Sequence, residues 1–376
     1  MAMKIGINLL YLLPGVVGGT ETYAAGLLHG LAEIDKQNDY SVFVNRESER
    51  WYLPQAANFT RVVCPVRATG RGSRYLFEQV RLPRLLARYH IDVVHSLGYV
   101  GPLVPPCSSV VTIHDLNYIA LGHMMPSVRR TALRFFSIQS ARRADRVITI
   151  SHFSKGEICR TIKLDPGKIT VVHLGAMKST SPYSPENWDE LKSRYRIRAP
   201  YLVAFGGRTL NKNIPLLIRA FAQVKEAFPH SLVLIGHIPS DVDLAVETRK
   251  TQERITMTGP VPEEHIPPLL SHADLFVLPS LYEGFGLPVL EAQQAGVAVA
   301  CSTAGSLPEV GGDGALYFDP ASIEATADTI GRCLSDATLR LELIEKGREN
   351  LKRFSWEKTA RETLSVYRDV FKQRHP

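Results

Sequence analysis

Residues 274–299 read DLFVLPSLYEGFGLPVLEAQQAGVAV. An apolar run, DLFVLP at 274–279, ends in a glycine-containing turn. A helical stretch near 287–296 follows, and a second apolar run, VAVAC at 297–301, comes straight after it. Both runs are almost continuously apolar rather than alternating, as strands covered on both faces of a parallel sheet are. This stretch therefore reads as strand, helix, strand in an α/β fold.

The same alternation extends outward. Upstream lie strand candidates at 201–206, 231–236 and 255–258, with helices near 213–228 and 263–272; downstream, helices are expected near 321–334 and 337–352. From 176 to 199 the chain is polar, carries Pro182 and Pro185, and shows no strand signal, so it reads as a linker. Before it, strands are expected at 4–10, 41–45, 61–64, 91–95, 109–113, 146–150 and 169–173, with helices near 21–34, 78–89, 127–144 and 152–163. A chain of 376 residues is long for one core. The expectation is two Rossmann-like parallel-sheet domains, 1–180 and 198–355. Ligands bind such sheets beyond the carboxyl ends of the strands, so domains facing each other would form a cleft.

Composition excludes several classes. Apolar residues make up 45% and charged residues 22%, a globular balance. Five cysteines at 64, 107, 159, 301 and 333 form no CxxC, which argues against a disulfide framework or a zinc knuckle and fits a reducing compartment. Cys64, Cys107 and Cys301 read as small buried hydrophobes. No run approaches the about 18 apolar residues of a membrane span. The N-terminal run stops at Pro14-Gly15 without a cleavage site, so a cytoplasmic location is expected. Residues 1–179 hold 22 Lys/Arg against 12 Asp/Glu, and residues 180–376 hold 22 against 25. A basic N-terminal half implies an anionic partner; without an aromatic RNA-binding signature, nucleic acid is not expected.

Four places could carry chemistry. Gly18 and Gly19, in PGVVGGTE at 14–21, precede a helix whose N–H groups suit a phosphate or an acceptor. Gly206-Gly207-Arg208, with Lys212 and Asn213 behind it, follows the strand YLVAF; a guanidinium and an ammonium there suit a diphosphate. In PSLYEGFGLPVLE at 279–291, Glu283 and Glu291 bracket the backbone of Phe285, Gly286 and Leu287, where carboxylates can take sugar hydroxyls and N–H groups can take phosphate. His114 ends the strand SVVTI and could hydrogen-bond a substrate. GFGLPV is only a fragment of a dinucleotide fingerprint and follows a late strand, which argues against an NAD enzyme. The histidines show no metal spacing, and Asp241-Val242-Asp243 reads as a solvated face, so no metal site is expected.

These pieces, in this order, resemble the retaining GT-B glycosyltransferases of family four. The likeness shows in GGTE (18–21), TIHD (112–115), SHFS (151–154), GGR…KN (206–213), PSLYEGFGLPVLEAQQAGVAV (279–299), LPEVGGDGALYFDP (307–320) and FSWEKTA (354–360). It implies a nucleotide-sugar donor on the C-terminal domain, an acceptor on the N-terminal one, and a last helix, about 356–376, that completes the N-terminal domain. It further implies that Arg208 and Lys212 neutralise the donor diphosphate and that Glu283 contacts the transferred sugar. Glu291 would contact ribose, the backbone of Phe285 to Leu287 sugar and phosphate, and His114 the sugar. Gly18 and Gly19 would help shape the phosphate and acceptor side, and Gly207 would belong to the donor-binding set. No cofactor or metal is implied. TIHDLNY and SLYEGFGLPVLEA are most similar to bacterial polysaccharide mannosyltransferases, which points to mannose from GDP-mannose and a glycan or lipid-linked glycan acceptor. The competing readings are a nucleotide-sugar epimerase or phosphorylase of the same architecture, or a non-catalytic nucleotide-sugar-binding protein.

One last segment, 67–90, carries Arg67, Arg71, Arg74, Arg81, Arg84 and Arg88 against a single acid, Glu78, with apolar residues interleaved. It is expected to be a basic amphipathic edge that docks on the inner face of an anionic membrane. A second arginine cluster, 129–146, reads as a core-packing helix with a solvated basic face.

Overall fold

The structure is a computed structural model and describes residues 2–120, 127–176, 188–207, 210–238 and 249–375. The chain divides into unit 1, Met1–Gly175 with Phe354–Pro376, and unit 2, Ala176–Arg353.

In unit 1 the strands are β1 (Lys4–Leu9), β2 (Asp39–Val44), β3 (Phe59–Val63), β4 (Val93–Ser96), β5 (Ser108–Thr112), β6 (Arg146–Thr149) and β7 (Ile169–Val171). The helices between them are α1 (Gly19–Ile34), α2 (Arg71–Arg88), α3 (Asn117–Ala120), α4 (Ser127–Arg143) and α5 (His152–Ile162). The strands form one parallel sheet in the order β3-β2-β1-β4-β5-β6-β7. Unit 2 holds α6 (Trp188–Arg194), β8 (Tyr201–Phe205), α7 (Ile214–Val224), β9 (Ser231–Ile235), α8 (Arg249–Gln252), β10 (Ile255–Gly259), α9 (Ile266–Ser271), β11 (Leu275–Leu278), α10 (Leu287–Ala295), β12 (Val299–Ser302), α11 (Leu307–Gly311), β13 (Leu316–Phe318), α12 (Ile323–Ser335) and α13 (Ala337–Leu351). Its sheet is also parallel, in the order β10-β9-β8-β11-β12-β13. The last helix, α14 (Trp356–Arg374), belongs to unit 1.

Both sheets are doubly wound. In unit 2, Leu217 and Phe221 of α7 and Ile330 and Cys333 of α12 cover one face, while Leu269 of α9 and Val289 and Ala292 of α10 cover the other. Every residue of β9, β11 and β12 is buried, whereas the edge strand β10 stays part-exposed. Unbroken apolar runs are what such central strands require. Each sheet reverses strand order at one point, between β1 and β4 in unit 1 and between β8 and β11 in unit 2. Loops leaving the carboxyl ends of those strands line the usual ligand crevice of a doubly wound sheet.

α14 packs against α1, with Trp356 seated among glycines. A methyl on Gly26 would overlap the indole ring, and one on Gly30 or Gly175 would overlap the Trp356 backbone. Ser355 caps α14, accepting from Lys358 N at 3.1 Å, and Ser151 caps α5, accepting from Ser154 N at 3.0 Å. FSWEKTA and SHFS are therefore helix starts, with their orphan N–H groups satisfied.

The structure departs from the sequence reading in places. α2 begins at Arg71, well before the expected 78, because its buried side includes Arg74 and Glu78, which interrupt an apolar pattern. The expected linker contains α6, and β13 and α11 are too short for periodicity to detect. Arg208, Asp241 and Asp243 lie outside the described residues.

Candidate active site

The loop after β11 and the turn before α7 converge in unit 2. Leu281 N donates to Asn211 O at 2.7 Å, which places Lys212 beside Glu283 although 71 residues separate them. Lys212 Nζ donates to Glu283 Oε1 at 2.7 Å, and both side chains are mostly buried. Ser280 Oγ donates to the same carboxylate oxygen, also at 2.7 Å. Behind it, Ser302 Oγ donates to Ser280 O at 2.6 Å. Ser306 donates from N and Oγ to Glu283 O, both at 3.1 Å, and from Oγ to Phe285 O at 2.8 Å. Glu283 is thus gripped at carboxylate and backbone alike, an orientation that a free surface glutamate lacks.

The turn that follows needs glycine. Gly286 caps α10 with φ +102°, and a methyl there would lie 2.7 Å from Leu307 Cδ2. Pro288 opens the helix, where the missing N–H costs nothing. The first turn of a helix carries N–H groups with no intrahelical partner and the positive end of the dipole, so an anion is favoured at this end of α10. Phe285 and Leu287 are themselves buried. Glu291 is on the second turn. Burial pushes its carboxyl up to about 7; Lys212 draws it down and Glu263 pushes it further up. Gly206 and Gly207, at the carboxyl end of β8, are half-buried, and a methyl on Gly206 would overlap Ile238 Cδ1.

In unit 1, Gly18 caps α1 with φ +59°, and the helix starts at Gly19. Glu21 holds the preceding loop: its Oε2 accepts from Gly15 N at 2.8 Å and its Oε1 from Trp51 Nε1 at 2.9 Å. His114 is buried and has a partner within the fold, since its Nε2 lies 2.8 Å from Leu97 O. A carbonyl only accepts, so that nitrogen carries the proton and Nδ1 is the acceptor. Tyr23 meets the ring edge-on at 4.9 Å. Burial lowers the His114 pKa to about 4, and the bond to Leu97 O pulls weakly the other way. His114 is therefore neutral near pH 7. A buried chain continues beneath it: Tyr23 Oη is 3.1 Å from Thr112 Oγ1, which is 2.8 Å from His95 Nε2, and His95 Nδ1 is 2.6 Å from Tyr367 Oη on α14.

Of the residues singled out from sequence, Lys212, Glu283, Phe285, Gly286, Leu287 and Glu291 fall in one region of unit 2, with Gly207 at the end of its β8. Gly18, Gly19 and His114 fall in unit 1. Sequence reasoning assigned no role to Ser280, Ser306 or Glu21. Ser280 stands three residues before Glu283 at a strand end, a local spacing that could have flagged it. Ser306 reaches Glu283 from another loop, with no local signal.

The Glu291 carboxyl predicts a pH effect. A carboxylate accepts from a ribose hydroxyl better than a protonated acid does. With Glu291 on the donor ribose, as the family resemblance implies, donor KM is expected to fall severalfold as pH rises from about 6 to 8, across the raised pKa. Glu291→Gln should give a weaker, pH-flat KM. A pH-flat donor KM in the wild-type protein would remove Glu291 from the donor site.

Comparison with known proteins follows this division. A family model described as "Glycosyl transferases group 1" matches residues 189–350, and one described as "Glycosyltransferase Family 4" matches residues 17–176. The O-antigen chain mannosyltransferase B of Escherichia coli is 32% identical over 266 residues, 69% of this chain and 70% of that protein. Among solved structures, sucrose-phosphate synthase of Thermosynechococcus elongatus superposes with a TM-score of 0.78 at 20% identity, covering 99% of this chain and 100% of that one. An Anabaena protein in complex with UDP-glucose superposes with a TM-score of 0.72 at 19% identity, covering 97% of this chain and 100% of that one.

Proposed function

The chain belongs to the family-4 glycosyltransferases of GT-B fold, and from that premise we propose that it transfers mannose from GDP-mannose, with retention, to a glycan or lipid-linked glycan acceptor in polysaccharide biosynthesis. Membership sets aside the epimerase, phosphorylase and non-catalytic readings. The observation that carries the proposal is the Lys212–Glu283 pair, held at the carboxyl ends of β8 and β11. The choice of mannose is supported by the O-antigen mannosyltransferase relative. The Anabaena structure, which holds UDP-glucose, favours a UDP-linked hexose as the second reading.

The chemistry follows from charge. As the bond from the anomeric carbon to the diphosphate breaks, negative charge grows on the leaving phosphate and the sugar turns oxocarbenium-like. Groups fixed in advance and aimed at that phosphate lower the barrier most. Lys212 and Arg208 would supply the cations, and the N-terminal turn of α10 the N–H groups. Glu283 would accept from the sugar hydroxyls and Glu291 from ribose. His114, neutral and donating through Nε2 to Leu97 O, would accept a sugar hydroxyl at Nδ1. The leaving diphosphate would take the acceptor proton.

A thermal-shift screen tests the donor, because a ligand of the native state alone raises stability. GDP and GDP-mannose should raise the melting temperature more than UDP or UDP-glucose; a shift with UDP alone rejects the mannosyl reading. With Arg208 and Lys212 supplying charge, transfer should survive EDTA. Loss of transfer restored by manganese would return Asp241 and Asp243 to consideration. The anomeric proton of the product reads out retention, and an inverted product rejects it.

A further inference from the structure

We propose that unit 1 docks on an anionic lipid bilayer through one face built from α2, α4 and the loop 98–107. The three segments are joined. Tyr75 of α2 stacks on Phe136 of α4 with ring centroids 4.7 Å apart. Gln79 of α2 reaches the loop, accepting from Leu103 N at 2.9 Å and donating to Gly101 O at 3.1 Å. Ser140 of α4 accepts from Gly101 N at 3.0 Å.

Large apolar side chains stand uncovered on these segments. Leu76 is 65% exposed, Val104 77%, Val128 82% and Phe135 54%. Along α2, Leu76, Val80, Arg84 and Arg88 are exposed at four-residue spacing, which is one stripe of a helix. The charge is all of one sign. Residues 67–90, 98–107 and 127–144 contain eleven arginines, no lysine and one acid, Glu78. That acid is buried against Arg74, so its carboxyl does not reach the surface. Two expectations are corrected here. Arg74 is buried and does not belong to the basic face, and α4 does more than pack with a solvated basic side, because Val128 and Phe135 are bare.

Arginines around exposed aliphatic side chains fit a surface that is anionic outside and apolar just beneath. Nucleic acid would match the charge but leave Leu76, Val104 and Val128 with nothing to stack on. The placement also suits a lipid-borne acceptor. α2 follows β3, and α4 runs back to enter β6, so Leu76 and Val128, in the amino-terminal halves of their helices, lie toward the carboxyl ends of the strands. Gly18 and His114 lie toward the same ends. This last step rests on the glycosyltransferase reading; the docking itself does not.

Sedimentation with phosphatidylcholine vesicles, and with vesicles that also contain phosphatidylglycerol, tests the proposal at low and high salt. Binding is expected only to the anionic vesicles and only at low salt. Arg81→Gln/Arg84→Gln/Arg88→Gln should weaken it about a hundredfold, at roughly fivefold for each arginine. Leu76→Ser/Phe135→Ser should weaken it by roughly tenfold or more. All five side chains are exposed, so both variants should melt with the wild type. No donor is present, so the outcome stands apart from that of the donor screen. Absence of binding to anionic vesicles at low salt overturns the proposal. So does binding that Leu76→Ser/Phe135→Ser leaves unchanged, and so does displacement from vesicles by a short single-stranded oligonucleotide, which would assign the face to nucleic acid.

Discussion

Glu283→Gln is expected to lower turnover by roughly a hundredfold or more while changing donor KM by only severalfold. Glutamine keeps the shape and can still accept from Ser280 Oγ. It loses the negative charge that holds Lys212 Nζ at 2.7 Å and that, in the proposed reaction, would face a sugar gaining positive character. An interaction that strengthens as charge develops acts on turnover more than on ground-state binding. Lys212→Ala should lower turnover on the same scale and also raise donor KM, because an ammonium facing a diphosphate acts in both states. It would in addition leave a mostly buried carboxylate with Ser280 as its remaining side-chain donor in the site. Steady-state kinetics on both variants, with melting temperatures alongside, check this. Wild-type turnover in Glu283→Gln would remove Glu283 from the chemistry.

Gly305→Ala should be almost as damaging, although residue 305 carries no functional group. Gly305 has φ +65°, and a methyl on it would overlap the Glu283 carbonyl oxygen and lie 2.9 Å from Glu283 N. Both neighbours are backbone, so no side-chain rotation relieves the overlap, and the Glu283 loop has to move. A displacement of about 1 Å at a catalytic group costs on the order of a hundredfold in rate. Stability should fall by about 2 kcal/mol, from left-handed strain and the lost Ser306 contacts together. Gly296→Ala is the control. Gly296 has φ +74° with nothing within 4 Å of the added methyl, so strain alone applies. It should cost about 1–2 kcal/mol and leave turnover intact. Equal activity in the two variants would mean that the Gly305 packing does not position Glu283.

Most of the strands were legible in the chain because each central strand is buried on both faces and must be apolar along its length. Central strands such as SLVLI in β9 or LFVL in β11 have little other composition open to them. The edge strand β10 and the three-residue β13 carry weaker patterns, and β13 escaped. α2 was half read because Arg74 and Glu78 face inward, against the usual rule that charge faces water. The candidate site was legible where it is local. Glu283, Gly286 and Glu291 follow one strand through one turn into one helix, so their spacing alone suggests an anion and sugar site.

By itself, then, the sequence determined the α/β class, the order of its elements and the local strand–turn–helix block, all of which depend on neighbours a few residues apart. Only the tertiary structure decided the order of strands within each sheet, which brings β8 beside β11 and therefore Lys212 onto Glu283. It also decided that Ser306 and Gly305 support that glutamate, that Trp356 needs glycines at 26, 30 and 175, and that Leu76 and Phe135 remain bare while Arg74 does not. The physical reason is range. Periodicity reports whether a side chain meets water or protein, but parallel strands are joined by crossovers, and residues far apart in the chain become partners only after those crossovers have packed.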